Sequence, residues 1–233
     1  EGGITINFAD RYAEVRRKVR EAALKSGRDP RLIKIIGVTK TVDVERIKEA
    51  FLSGLKDFGE NRLQEAEGKI AALPNSVNWH FIGRLQTNKA RKVARLFRLI
   101  HSLDRFKLAS FLAREGQERG KSVPVLVQVN IGKEKTKAGL DPEEVKDFIE
   151  DVSTLPGLKI CGLMGIAPFL AQPEEVRPYF RSLKLLFDQI KIPGVEMKYL
   201  SMGMSNDFEV AVEEGANLLR IGTALFGERR LEG

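Results

Sequence analysis

Cysteine is nearly absent from this 233-residue sequence, in which Cys161 stands alone. A single thiol closes no internal disulfide, so the fold has to be held by its core, and the composition fits a reducing, cytoplasmic compartment. Cys161 lies in the apolar run KICGLMGI and reads as a small core residue rather than a reactive thiol. Histidine is almost as scarce. His80 and His101 are the only two, and with no cysteine cluster beside them a zinc site is excluded and no metal is expected. No apolar run approaches the roughly 18–20 residues of a membrane span. The opening EGGITINFADRY lacks a basic stretch followed by an apolar one, so neither a signal peptide nor a membrane partner is expected. The phosphate-loop and nucleophile-elbow motifs, GxxxxGK(S/T) and GxSxG, are missing as well. No linker or low-complexity tract interrupts the chain, which reads as a single domain over residues 1–233.

Charge is what the chain has in plenty, with 39 basic against 32 acidic residues and a net +7. The densest basic stretch, RLQTNKARKVARLFR at 84–98, holds six basic residues and no acidic one. That pattern invites a nucleic-acid reading. No RNA- or DNA-binding motif accompanies it, however, and acidic residues are spread through the rest of the chain. A solvated basic helix face is the preferred account, and an RNA-binding protein is kept only as a distant alternative.

The apolar pattern is that of an alternating α/β protein. After an amphipathic helix at about 6–26, eight short apolar runs recur at 33–39, 56–59, 78–83, 98–103, 123–130, 158–166, 195–201 and 217–223. Helical periodicity fills the intervals, as in DPEEVKDFIEDVSTL at 141–155, where Asp141 is placed as the N-cap and Pro142 in the first turn. Strands alternating with helices pair in parallel through right-handed crossovers. Eight such units predict a single (β/α)8 TIM barrel with an extra N-terminal helix, and a doubly wound open sheet is the competing topology.

In such a barrel the active site forms at the carboxyl ends of the strands, so those positions carry the functional reading. The first strand, IKIIGVT, runs into Lys40. The second ends in GEN, at Asn61; the third carries His80; the fourth ends near His101, Ser102 and Asp104. The seventh ends in SMGMS at 201–205 and the eighth in RIGT at 220–223, which places Arg220, Gly222 and Thr223 together. Glycines and hydroxyls after strands seven and eight form a recurring phosphate site in barrels. A strand-one lysine opposite a phosphate cradle points to pyridoxal 5′-phosphate (PLP), whose aldehyde a neutral amine captures as a Schiff base. Arg220 then meets the pyridine nitrogen. A guanidinium donates hydrogen bonds but does not readily give up a proton, so the ring stays a weak electron sink.

These stretches also resemble a known family. GVTK, FGENR, WHFIGRLQTNK, HSLDR, VLVQVNIGKEKTKAGL, GLMGI and LSMGMSNDFEVAVEEGANLLRIGTALFG together are similar to the PLP homeostasis proteins (the YggS/PROSC family), from about residue 8 to residue 227. That family resembles the N-terminal barrel of alanine racemase. The resemblance implies PLP as cofactor, bound as a Schiff base on Lys40, with Asn61 beside it and Met164 near the ring. It also implies that Ser201, Gly222 and Thr223 hold the phosphate and that Arg220 faces the ring nitrogen. Arg84 departs from the histidine expected in WHFIGHLQ.

The function so implied is PLP homeostasis: storing, buffering or delivering the cofactor, with no catalytic residue assigned. Transient contact with PLP-requiring apo-enzymes, no nucleic-acid partner and a monomeric state are expected. The competing reading is a low-activity PLP-dependent amino-acid racemase. Two-base racemisation needs acid–base groups on both faces of the substrate, and in alanine racemase the second comes from a further β-domain. The sequence runs only ten residues past the eighth apolar run, so that domain is not expected here.

Overall fold

The computed structural model describes residues 7–228. Eight parallel strands close into one barrel in chain order, with β8 paired back to β1. The predicted barrel is therefore the observed topology, and an open sheet is excluded. The strands are β1 (Lys34–Val38), β2 (Asp57–Glu60), β3 (Asn78–Phe81) and β4 (Leu99–Leu103), then β5 (Val123–Val129), β6 (Leu158–Gly165), β7 (Tyr199–Ser201) and β8 (Leu218–Ile221). Ahead of them lies α1 (Phe8–Lys25), capped by Asn7, whose side chain accepts from Asp10 N–H at 2.9 Å. It packs against the chain end of the barrel, and Phe8 meets Phe226 with ring centroids 5.3 Å apart.

The connecting helices are α2 (Val44–Leu52), α3 (Leu63–Ala72), α4 (Ala90–Leu96), α5 (Phe106–Arg119) and α6 (Val145–Ser153). They are followed by α7 (Arg177–Gln189), α8 (Phe208–Glu213) and the single turn α9 (Thr223–Phe226). Two apolar cores result. The larger lies between sheet and helices and joins, for example, Ile47 and Ala50 of α2 to Phe58 of β2, and Phe180 and Leu183 of α7 to Leu163 of β6. The smaller holds Ile36, Leu99, Leu126, Cys161, Met164 and Leu218, all from strands, and fills the barrel lumen. Among the described residues no helix is long and apolar enough to cross a membrane.

Two local expectations are corrected. The apolar run at 195–201 contributes only the three residues of β7. Pairing starts at Gly162↔Tyr199, where a Cβ on Gly162 would lie 1.8 Å from the Tyr199 carbonyl oxygen. The helix foreseen at 141–155 opens instead as a 3-10 turn over Pro142–Glu144, and the Asp141 side chain makes no capping hydrogen bond. In the basic stretch 84–98 Arg91, Lys92 and Arg95 are exposed on α4 and paired with acids of the neighbouring helices. Arg91 and Arg95 share Glu115 of α5, at 3.3 and 2.5 Å, and Lys92 pairs with Glu67 of α3.

Candidate functional site

β1 ends one residue before a pinned segment. Thr39 is fully buried; its N–H donates to the Gly59 carbonyl at 3.1 Å and its hydroxyl to Glu60 Oε1 at 2.7 Å. Lys69, reaching down from α3, donates to the Thr39 carbonyl (2.6 Å), to Glu60 Oε1 (2.6 Å) and to Glu65 Oε1 (2.8 Å). Thr41 on the other side has φ +60 and donates its N–H to Glu65 Oε1 at 2.6 Å. A β-branched residue in that region costs about 1–3 kcal/mol and persists only where its surroundings over-determine it. Between these two anchored threonines stands Lys40, half-buried and, among the described residues, in no ion pair.

The charges of the clamp are strongly coupled. Burial pushes the Glu60 carboxyl above the ordinary range, with Lys69 and Thr39 working against it. Burial acts the same way on Glu65, but hydrogen bonds from Lys69 and Thr41 hold its carboxyl below the usual value.

A second polar system runs through the lumen. Arg220 on β8 donates from Nη1 to Ser201 Oγ at 2.5 Å and from Nη2 to the Gly165 carbonyl at 2.9 Å. Ser201 Oγ lies 2.9 Å from His101 Nδ1, His101 Nε2 lies 3.0 Å from His80 Nδ1, and His80 Nε2 lies 2.8 Å from Asp57 Oδ1. Burial, reinforced by His80 and Arg220, drives the His101 pKa well below the ordinary histidine value, so its ring is neutral and carries one N–H. Continuity then assigns the protons. Arg220 donates to Ser201, Ser201 to His101 Nδ1, His101 Nε2–H to His80 Nδ1, and His80 Nε2–H to the Asp57 carboxylate. Burial raises the Asp57 carboxyl, but the hydrogen bond from His80, with the charge of Lys34 behind it, brings it below the usual range. Burial lowers Arg220 to about 10, opposed by Asp207, which leaves it a cation at neutral pH. Among the described residues Arg220 has no carboxylate in salt-bridge contact.

The loops after β7 and β8 meet beside β1. Ser205 Oγ accepts from Ala224 N–H at 3.1 Å and ties them together. Their two glycines have different causes. Gly203 has φ +100 and a Cβ there would fall 2.6 Å from that of Ala211, so packing alone requires it. Gly222 has φ −108, and a Cβ would meet only Val38 at 3.6 Å or more, an ordinary contact. Among the described residues no packing contact demands glycine at 222. The space is free for another molecule to approach the backbone, and Thr223 is exposed next to it.

Of the other predicted residues, Asn61 is partly buried at the end of β2 and lines a cleft with Ile82, Gly83 and Gln128. Met164 is fully buried in the lumen, in register with Ser201 and Gln128. Ser201 is fully buried, with its hydroxyl between Arg220 and His101. His80 and His101 are not mouth residues as expected. Both side chains face into the barrel, where inward positions of successive strands stack. No group of three or more His, Cys, Asp or Glu able to hold a metal occurs among the described residues.

With this geometry in view, comparison with known proteins is decisive about kinship. Residues 12–230 match the family model of the alanine racemase N-terminal domain. A pyridoxal phosphate homeostasis protein of Aquifex aeolicus is 46% identical over 227 residues, covering 97% of this chain and 100% of that one. Its counterpart in Pseudomonas aeruginosa is 42% identical over 223 residues, covering 95% and 96%. The chain belongs to the pyridoxal phosphate homeostasis proteins. Among solved structures, PipY of Synechococcus elongatus with PLP bound is 37% identical at a TM-score of 0.80, covering 95% of this chain and 100% of PipY. Alanine racemase from Bartonella henselae, at 17% identity and a TM-score of 0.71, covers 95% of this chain and 58% of its own and shares the fold.

Two structural features of this homeostasis-family chain escaped the sequence reading. Glu60 and Lys69, which pin the Lys40 segment, received no role in the sequence reading. The trace was there: Glu60 closes an apolar run as Lys40 does, and Glu65 and Lys69 are spaced i,i+4 on one helix face. The Asp57–His80–His101 link had only the alternation of inward positions along β2, β3 and β4 to announce it.

Proposed function

We propose that this protein holds PLP covalently on Lys40 and serves intracellular PLP homeostasis by storing, buffering or delivering the cofactor. One observation carries the reading. A half-buried lysine in no ion pair among the described residues, fixed between two anchored threonines, stands beside the strand end where Gly222 leaves room that no described side chain fills. The PLP-bound relative PipY and the naming of the curated relatives support it. PLP supplies an aldehyde that an amine captures reversibly and a ring that can draw electrons from an attached carbon.

The chain's own residues divide the remaining work. Lys40 Nζ provides the amine. The Gly222 backbone, the Thr223 hydroxyl and Ser201 hold the phosphate, and the Ser201 hydroxyl also fixes the Arg220 guanidinium that faces the ring nitrogen. Asn61 lies beside the ring and Met164 packs near it. Arg220 offers N–H donors to the ring nitrogen and keeps its own proton at neutral pH, so the ring nitrogen gains a hydrogen bond without a positive charge. That arrangement weakens the electron sink and suits a carrier, so no residue is assigned a catalytic role. The same proposal takes the barrel as one PLP-binding domain, cytoplasmic and monomeric, meeting PLP-requiring apo-enzymes transiently.

A low-activity amino-acid racemase is the second reading, favoured by the fold shared with alanine racemase. The two separate in one set of measurements on the purified protein. A carrier absorbs in the visible, loses that band on borohydride reduction and passes PLP to an apo-enzyme. Its exchange of amino-acid α-protons in deuterated water stays slow. Fast exchange with racemisation overturns the carrier reading, and absence of PLP uptake overturns both.

A further inference from the structure

The barrel has a second opening, at the amino ends of its strands, and a cavity of about 180 Å³ lies there. Its rim is cationic. Lys34 begins β1, Arg98 directly precedes β4, Lys159 is the second residue of β6 and Lys198 directly precedes β7. Two acids face these four cations, Asp57 and Glu196, and Asp57 is already bonded to His80 at 2.8 Å.

The rim cations differ from the ion-paired basic groups elsewhere on this surface. Arg177 is satisfied by Glu174, Glu213 and Glu214, and Arg17 by Glu14 and Glu21. Among the described residues Lys34, Arg98, Lys159 and Lys198 take part in no salt bridge. Arg98 donates to Asn78 Oδ1 at 2.6 Å, and Lys198 lies over the Tyr199 ring at 5.2 Å. Like charges drawn round one mouth repel, and an anion between them offsets that repulsion.

Below the rim the lining turns apolar. Leu99, Pro124, Cys161 and Leu218 form the floor with Tyr199. Cys161 adds no charge, because burial holds its thiol above the usual range. A solvated mouth has no need of a dry floor. Charge at the rim with apolar surface beneath is the lining expected of a small-molecule site.

We propose that the amino-terminal mouth is a second binding site, for a small anion with an apolar body, of the class of an aryl phosphate or aryl carboxylate. The anionic group is held by Lys34, Lys159, Lys198 and Arg98, and the apolar body rests on Leu99, Leu218 and Tyr199. His80, at the floor, is also a link of the chain that ends at Arg220, so the ligand sits at the far end of the system serving the opposite mouth. The inference does not rest on the PLP reading, since no residue of this mouth is assigned to that cofactor.

The protein has only two histidines, so imidazole NMR reports this site directly. Full-length protein, PLP-loaded and again without PLP, is titrated with phenyl phosphate, benzoate and inorganic phosphate. The expected result is saturable movement of the His80 resonances by phenyl phosphate with a Kd below about 1 mM. Inorganic phosphate should bind more weakly, since it has no body for the floor, and the ratio of phenyl phosphate to benzoate identifies the preferred headgroup. The double variant Lys159→Ser/Lys198→Ser changes two exposed side chains and should weaken binding at least tenfold while leaving PLP absorbance intact. Three results would each overturn the proposal. These are no saturable His80 shift in either form, affinity unchanged in the double variant, and inorganic phosphate binding as tightly as both aryl anions.

Discussion

Lys40 follows Thr39 in the chain, and Lys69 reaches the carbonyl of the same threonine from α3 at 2.6 Å, yet the two lysines are used in opposite ways. Lys69 is buried and spends its ammonium on Glu60, Glu65 and that carbonyl. Lys40 is half-buried and, among the described residues, enters no ion pair. The buried lysine makes the other one useful: by pinning Thr39 and, through Glu65, Thr41, it fixes the origin of the Lys40 side chain and leaves its tip uncommitted. A nucleophile needs a rigid base and a free end. Here the two requirements fall on two different lysines.

The largest effect that would break this contrast is Lys40→Ala. Covalent capture of PLP should disappear, while borohydride reduction and peptide mapping of the wild type should find the pyridoxyl mass on Lys40 and not on Lys69. Some reversible affinity should survive in the variant, because the phosphate cradle is untouched.

Lys69→Met comes next and acts on stability. It leaves Glu60 buried without its cation, at a cost of about 3–5 kcal/mol in urea unfolding. The raised Glu60 carboxyl should rise further. Protonating it relieves the penalty in the folded state, so the gap between variant and wild type should narrow as the pH falls from about 8 to about 5. The double variant Lys69→Met/Glu60→Gln should recover most of the loss.

Ser201→Ala tests whether the lumen chain is as necessary to Arg220 as the clamp is to Lys40. It strips an acceptor from Arg220 and a donor from His101, for about 1–3 kcal/mol of stability and roughly a tenfold fall in PLP affinity. The chain also has a pH signature. His101 titrates below its unfolded value of 6.5, so the unfolded state binds the proton first, and stability should fall as the pH drops below that value. His101→Gln should flatten this part of the acid limb.

The smallest stability effect is expected at Gly222. Gly222→Ala should alter unfolding by less than about 1 kcal/mol and still weaken PLP binding measurably, because the methyl enters the space left for the ligand. Gly203→Ala, strained at φ +100, should do the reverse: a clear loss of stability without a specific loss at the ligand.

Much of this molecule was legible in one dimension. The alternation of eight apolar runs with helical stretches determined the strand–helix order and favoured a barrel over an open sheet, because periodicity is set by residues a few positions apart. Lys40, Asn61, Arg220, Gly222 and Thr223 could be nominated because parallel strands deliver all their carboxyl ends to one mouth. What remained hidden depended on which inward side chains of different strands touch. The clamp of Lys69 on Glu60 went unread, since nothing local says that α3 lays that face over β2. The chain from Asp57 through His80, His101 and Ser201 to Arg220 crosses five strands and 163 residues of sequence, counted from 57 to 220. Its contacts exist only after β8 has closed on β1 and the register of each strand has set the height of its inward residues. The sequence by itself determined which elements form and which residues stand at their ends. Closure and register, which are properties of all eight strands at once, decided which polar groups meet in the interior and which lysine stays free.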